Sequence, residues 1–144
     1  MNAISPRGQA LLDAGFSIWP MPCPFTTLIT PFFFRESGAD LVFRVELDAQ
    51  HCNGGGTAHG GFLATLADLV LGYNINQRIP KSWRIATANL SIQYLAPAQP
   101  GQWIEGKADR VKIGKRLCHA SGTLDAEGLP IIAMHATFAV LSQA

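Results

Sequence analysis

Between positions 87 and 95 the chain reads TANLSIQYL, where polar Thr87, Asn89, Ser91 and Gln93 alternate with apolar Ala88, Leu90, Ile92 and Tyr94. That period of two predicts a half-buried strand with its apolar side on the core, and it puts Thr87 on the opposite, polar side. Positions 59 to 76 follow another rule. The run GFLATLADLVLGYNIN has no proline and many helix formers. Phe62, Leu63, Leu66, Leu69, Val70, Leu71 and Tyr73 point in nearly every direction around a helical axis, which predicts a helix buried on all sides. Something must wrap it.

The flanking segments supply the wrapper. Residues 6 to 15 predict a short helix with Ser5 as N-cap, Pro6 in its first turn and Gly15 as its stop. WPMPCPF, 19 to 25, is broken by prolines and reads as loop. TTLITPFFFRESG and DLVFRVELD read as two strands around a turn at Ser37 and Gly38, with Pro31 marking an edge strand or a break. After APAQPG, the runs QWIEGKADRVKI, RLCHASGTLD and PIIAMHATFAVL predict three more strands, separated by a corner at Gly114 and Lys115 and by the EGLP turn. Their spacing suggests an antiparallel meander. The expected architecture is α+β, a curved antiparallel sheet of about six strands around one long helix, in a single domain spanning 1–144 with an N-terminal helix and loop extension at 1–24.

Composition sharpens this picture in two ways. Charged residues make up 15% of the chain, against roughly 25% in an average soluble domain, so part of its surface is expected in a subunit interface. A net charge of +1 leaves no basic field for nucleic acid or anionic membrane, and any anionic ligand must be met by a few local cations. The opening MNAISPRGQALLDAG lacks a charged start followed by an apolar run and a small-residue cleavage site, so secretion is not expected, and the apolar run FLATLADLVLGY is too short to span a bilayer. Cys23, Cys52 and Cys118 form an odd set without a C-x-x-C spacing, which points to a reduced, cytoplasmic protein.

HCNGGGTAHGG, residues 51 to 61, concentrates the candidate chemistry. It lacks the lysine and hydroxyl that a phosphate loop needs after its last glycine. The antiparallel strands downstream do not suit a dinucleotide fold. His51, Cys52 and His59 match no zinc spacing, so no metal is expected. Backbone N–H groups at the start of a helix remain, made approachable by Gly60 and Gly61, and they suit a carbonyl oxygen or oxyanion.

Asp68 is the only charge between His59 and Arg78. A carboxylate on such a helix is either functional or a structural hydrogen-bond acceptor. At about 1.5 Å per residue, Gly60 and Asp68 lie roughly 12 Å apart along the axis, too far to serve one reacting bond in one chain. If both are catalytic, two antiparallel helices of a twofold dimer share each site.

The segment NGGGTAHGGFLATLAD, 53 to 68, resembles the Asn, x5, His-Gly-Gly, x6, Asp pattern of the hotdog-fold thioesterases, and most closely their PaaI-like, phenylacetic-acid-degradation branch. TANLSIQYLAPAQPG at 87–101 and VKIGKRL at 111–117 are similar to that branch's strand and turn and to its basic corner. The resemblance implies hydrolysis of an acyl- or aryl-acyl-CoA thioester. Gly60 would donate its N–H to the thioester carbonyl with help from Asn53, and Asp68 of the other subunit would activate water or attack directly. Thr87 matches a position that orients the water. Gly114, Lys115 and Arg116 match a region that meets the phosphates of coenzyme A. His59 and Gly61 border the substrate, with His59 chiefly a helix-start residue. No cofactor is implied, since coenzyme A is part of the substrate, and the family assembles as dimers and often as dimers of dimers. Phe62, Trp83 and the run Phe32, Phe33, Phe34 are candidates either for an acyl pocket or for core. The competing readings are a hydratase or dehydratase of acyl thioesters on the same scaffold, and a non-catalytic acyl-CoA binder.

Overall fold

The computed structural model describes residues 3–20, 23–29 and 31–143. Met21 and Pro22, inside the proline-broken loop, lie outside the described residues, as does Thr30. Helix α1, Pro6–Asp13, begins as expected, with Ser5 Oγ accepting the Gly8 N–H at 3.0 Å and proline in the first turn. Its end is turned by Gly15 at φ +95°, a conformation that favours glycine.

Among the described residues seven strands form one antiparallel sheet, against about six expected. The addition is β1, Ser17–Ile18, a two-residue strand too short to leave a pattern. In TTLITPFFFRESG only Phe33–Ser37 becomes strand β2, while Thr26–Leu28 forms a 3-10 turn and Pro31 separates the two. Then come β3, Asp40–Glu46, a 3-10 turn at Ala49–His51, and α2, Gly60–Asn76. The chain continues through β4, Arg84–Tyr94, β5, Trp103–Lys112, β6, Leu117–Ala126, and β7, Leu129–Ser142.

The spatial order is β1-β2-β3-β5-β6-β7-β4. The expected meander therefore holds for β5, β6 and β7, whereas β4 lies at the far edge, paired with β7 alone among the described residues. The turn after β4 does not lead to a neighbouring strand but carries the chain across to β5, beside β3.

Helix α2 lies on the concave face of this sheet. Gly106 on β5 sets how closely it approaches: a Cβ there would stand 2.6 Å from Val70 Cγ2. Leu63, Leu66, Ala67, Val70, Leu71 and Ile75 are buried against the strands. Asn74, fully buried, answers the backbone of Leu41 with both ends of its carboxamide, at 2.9 and 3.1 Å. Burial on all sides is not what the chain achieves, however. Asp68 and Leu69 lie on a stripe that stays half-exposed because the sheet curls around only part of the helix.

The edge strand holds the second correction. The β4–β7 register shifts between Thr87, opposite Phe138, and Asn89, opposite Thr137, so Ala88 is the extra residue of a bulge. A bulge reverses the parity of side chains before and after it. Thr87 thereby joins Leu90 and Ile92 on the face toward α2, not the outward polar side.

Candidate active site

His59 caps α2. Its extended backbone, φ −66° and ψ 132°, turns the chain into the helix, and its Nδ1 accepts the Gly61 N–H at 2.9 Å. One of the two glycine donors anticipated at this point is therefore engaged. The Gly60 N–H, first in the helix, has no carbonyl partner within it and meets no acceptor among the described residues. Aligned peptide dipoles add positive potential there, and the missing side chain leaves the group open to an incoming oxygen.

Tyr94 holds the same glycine from the other side. Its Oη donates to the Gly60 carbonyl at 2.7 Å, and a Cβ on Gly60 would come within 3.3 Å of that hydroxyl. Two turns further along, Thr87 Oγ1 donates to Asp68 Oδ1 at 2.7 Å. Helix and edge strand are thus tied at both ends of the half-exposed stripe, with β4 running antiparallel to α2. The Thr87 bond uses one oxygen of Asp68, and the hydroxyl keeps lone pairs for a further donor.

Asn53 lies in the glycine loop, two residues beyond His51, whose carbonyl accepts the His59 N–H at 2.9 Å. Its Oδ1 accepts from Gly55 N–H at 2.9 Å and Thr57 N–H at 3.3 Å, and its Nδ2 donates to Thr57 Oγ1 at 3.2 Å. The side chain thus organises the loop that precedes the helix. Gly114, Lys115 and Arg116 form the corner between β5 and β6. Glycine is required there, since a Cβ at Gly114 would meet the Leu117 carbonyl oxygen at 2.4 Å. Lys115 and Arg116 are exposed. Thr87 pairs with Phe138, and Phe138 with Cys118, which stands about 10 Å from Thr87 across two strand spacings and places the corner just before it at the Asp68 end of the sheet.

The structure therefore brings candidate residues together in two groups on one chain: Gly60, Gly61, His59 and Tyr94 at the helix start, and Asp68 with Thr87, near the basic corner, farther along. Tyr94 is not among the expected site residues. Its position in TANLSIQYL does put it with Leu90 and Ile92, and a tyrosine among helix-facing residues needs a partner for its hydroxyl. His51 is likewise an addition. It is 7% exposed, stacks on Phe62 with ring centroids 4.2 Å apart, and accepts the Asp48 N–H on Nδ1 at 3.0 Å. Burial pushes its imidazole below the ordinary value, against a smaller opposing effect of Asp48.

Residues 55–132 match the thioesterase superfamily. The chain is 38% identical over 102 residues to "Putative esterase PA0474" of Pseudomonas aeruginosa, an alignment covering 70% of this chain and 76% of that one. It is 32% identical over 83 residues to acyl-coenzyme A thioesterase 13 of Mus musculus, covering 56% of this chain and 57% of that one. Among solved structures, a mutant of the phenylacetic acid degradation protein PaaI from Thermus thermophilus superposes with a TM-score of 0.72 at 26% identity, over 83% of this chain and 100% of that chain. Among the described residues no helix is long and apolar enough to cross a membrane.

Proposed function

Since the chain belongs to the thioesterase superfamily and has a PaaI-like hotdog fold, we propose that it hydrolyses acyl- or aryl-acyl-CoA thioesters, with Asp68 and the Gly60 N–H as its reacting groups. The observation that carries this reading is the pair of half-sites on α2: an N–H without a partner among the described residues at Gly60, and a carboxylate oriented by Thr87 at Asp68. The likeness to acyl-coenzyme A thioesterase 13 supports coenzyme A thioesters as the substrate class.

In this mechanism the thioester carbonyl oxygen accepts the Gly60 N–H, which stabilises the charge that develops on it. Asp68 takes a proton from a water as its oxygen attacks the carbonyl carbon. The tetrahedral intermediate collapses, the C–S bond breaks, and the thiolate of coenzyme A recovers the proton from Asp68. Thr87 orients the carboxylate and can accept from the same water. In the nucleophilic variant a carboxylate oxygen of Asp68 attacks the carbonyl carbon and expels the thiolate of coenzyme A as the C–S bond breaks; water then cleaves the mixed anhydride, which frees the acid, regenerates the Asp68 carboxylate and leaves a proton for the thiolate. Neither route calls on a metal or cofactor.

The two groups meet in a dimer. β4 is an 11-residue edge strand with one side unpaired among the described residues, a surface that readily takes another strand. Antiparallel pairing of two copies of β4 about its centre brings the Thr87 end of one beside the Tyr94 end of the other. Asp68 of one chain then faces the Gly60 end of its partner, and each dimer has two sites. Further pairing into a dimer of dimers agrees with the low charge content.

The test is release of free thiol from a panel of acyl- and aryl-CoA thioesters. Asp68→Asn should lower kcat by about a thousandfold or more with little change in binding, the expected effect of losing a general base or nucleophile. Wild-type turnover in that variant would sink the proposal. Binding of thioesters without turnover by the native chain would favour the acyl-CoA binder instead.

A further inference from the structure

Helix α2 opens with two adjacent glycines, Gly60 and Gly61, the residue type with most backbone freedom to lose, in the turn where helices fray most readily. The N–H that the reaction needs sits there. Three side chains hold this turn. His59 Nδ1 accepts the Gly61 N–H at 2.9 Å, Thr65 Oγ1 donates to the Gly61 carbonyl at 3.0 Å, and Tyr94 Oη donates to the Gly60 carbonyl at 2.7 Å. His59 and Thr65 belong to the helix and its cap, and they move with it. Of the three, Tyr94 alone reaches in from another element, the end of β4.

The Gly60 carbonyl and the Gly61 N–H are the two ends of one peptide group. His59 and Tyr94 therefore grip a single rigid plane from opposite ends. The preceding plane, joining His59 to Gly60, carries the open N–H, and its carbonyl accepts the Leu63 N–H at 3.1 Å. Only Gly60 Cα links the two planes, so the direction of the open N–H depends on the plane that Tyr94 holds. Tyr94 is itself firmly placed: its backbone pairs with buried Ile132, and the next N–H, of Leu95, donates to the carbonyl of buried Ile131 at 2.8 Å. Its ring lies against Gly60, where a Cβ would stand 3.3 Å from Oη and 3.4 Å from Cε1 and Cζ. Glycine at this position thus admits the ring as well as freeing the N–H.

We infer that Tyr94 is a positioning residue of the reaction: by tying the Gly60–Gly61 peptide to the edge strand, it keeps the Gly60 N–H aimed at the thioester carbonyl oxygen. The inference rests on the thioesterase reading. A donor to a developing oxyanion acts fully only when its direction is fixed beforehand, because reorientation during the reaction takes away part of the stabilisation. Tyr94 supplies that fixity from the sheet. In the dimer proposed above, the Tyr94 end of one β4 lies beside the Thr87 end of the other. The strand that fixes the N–H then also forms the seam across which the carboxylate of the other chain arrives.

The test is Tyr94→Phe, which keeps the ring and removes the hydroxyl at a position 56% exposed, where the fold tolerates the change. With the fastest-cleaved member of the thioester panel, phenylacetyl-CoA included, kcat should fall about tenfold, the order of one hydrogen bond, while KM changes by less than about twofold. Native kcat, or a change confined to KM, overturns the inference. The loss should vanish when the substitution is added to Gly60→Pro, which leaves no N–H to aim, and persist when it is added to Thr87→Val, which weakens the carboxylate side. A loss that persists in Gly60→Pro, or vanishes in Thr87→Val, gives Tyr94 a different role and overturns the inference. All of these outcomes leave the thioesterase reading intact. If the native chain cleaves no thioester, that reading fails, and hydrogen exchange at the Gly61 amide decides whether Tyr94 holds the peptide. Exchange about tenfold faster in Tyr94→Phe upholds it, and an unchanged rate overturns it.

Discussion

Thr87 reaches Asp68 across the seam between the edge strand and the helix, its Oγ1 donating to Oδ1 at 2.7 Å, because a bulge at Ala88 turns it inward. A hydrogen bond to a charged group contributes about 1.5–3 kcal/mol, so Thr87→Val should lower kcat roughly 10- to 100-fold. Thr87→Ser, which keeps the hydroxyl, should retain most of the activity. Steady-state kinetics of the two variants checks this, and equal activity in both would deny the bond a role in turnover.

The basic corner invites a comparison of substrates with and without phosphates. Replacing Lys115 and Arg116 together with alanine should raise KM for an acyl-CoA by about tenfold, an effect that shrinks as salt screens the charges. The rise should be much smaller with the corresponding N-acetylcysteamine thioester, which has the reacting bond and no phosphate. Identical changes in KM for both would place the nucleotide elsewhere.

Much of this arrangement is legible in the sequence, and the exceptions have physical causes. The helix shows because its apolar density and lack of proline leave no other structure, and Asp68 shows because it is the one charge within it. The orientation of Thr87 does not show: Ala86 and Ala88, on either side, are too small to mark a face, so nothing betrays the bulge between Thr87 and Asn89. The place of β4 is also hidden. APAQPG signals a turn, but β4 pairs with β7, the last strand of the chain, and a local turn signal carries no information about so distant a partner. In the sequence His51 is one of two histidines that match no ligand spacing, and its importance depends on contacts with Asp48 and Phe62 that only the fold creates.

His51 also makes a pH signature. Burial places its folded pKa below the ordinary imidazole value of 6.5, so the unfolded chain takes up the proton more readily. The stability contributed is fully present above the unfolded pKa and is lost as the pH falls below it. The melting temperature should therefore drop between about pH 7.5 and 5.5, and His51→Asn should flatten that drop. An unchanged slope in the variant would assign the effect to other groups.

Close packing of α2 on the sheet depends on Gly106. A Cβ there would lie 2.6 Å from Val70 Cγ2 and 2.9 Å from Leu124 Cδ2. Gly106→Ala should destabilise the fold by about 1–3 kcal/mol, the usual range for overpacking. Adding Val70→Ala should recover part of the loss if the steric reading is right. Urea melts of the single and double variants measure both steps, and additive losses would refute the clash.

Complementation between two inactive chains tests the shared site. Gly60→Pro removes the N–H donor while suiting the helix, because proline is tolerated at the first helical position and the extended backbone of His59 is what a residue before proline prefers. Gly60→Pro and Asp68→Asn should each be nearly inactive alone. Unfolded together in equal amounts and refolded, half of the dimers combine one chain of each kind. In such a mixed dimer one site receives both defects and the other receives the native Gly60 of one chain and the native Asp68 of its partner. The mixture should thus recover about a quarter of the wild-type activity. If Gly60 and Asp68 of the same chain served one substrate, every site would carry a defect, and the mixture would be as inactive as its parts. Recovery near a quarter is consequently a direct measure of sites built from two chains, and it depends on neither the identity of the acyl group nor the choice between general-base and nucleophilic chemistry at Asp68.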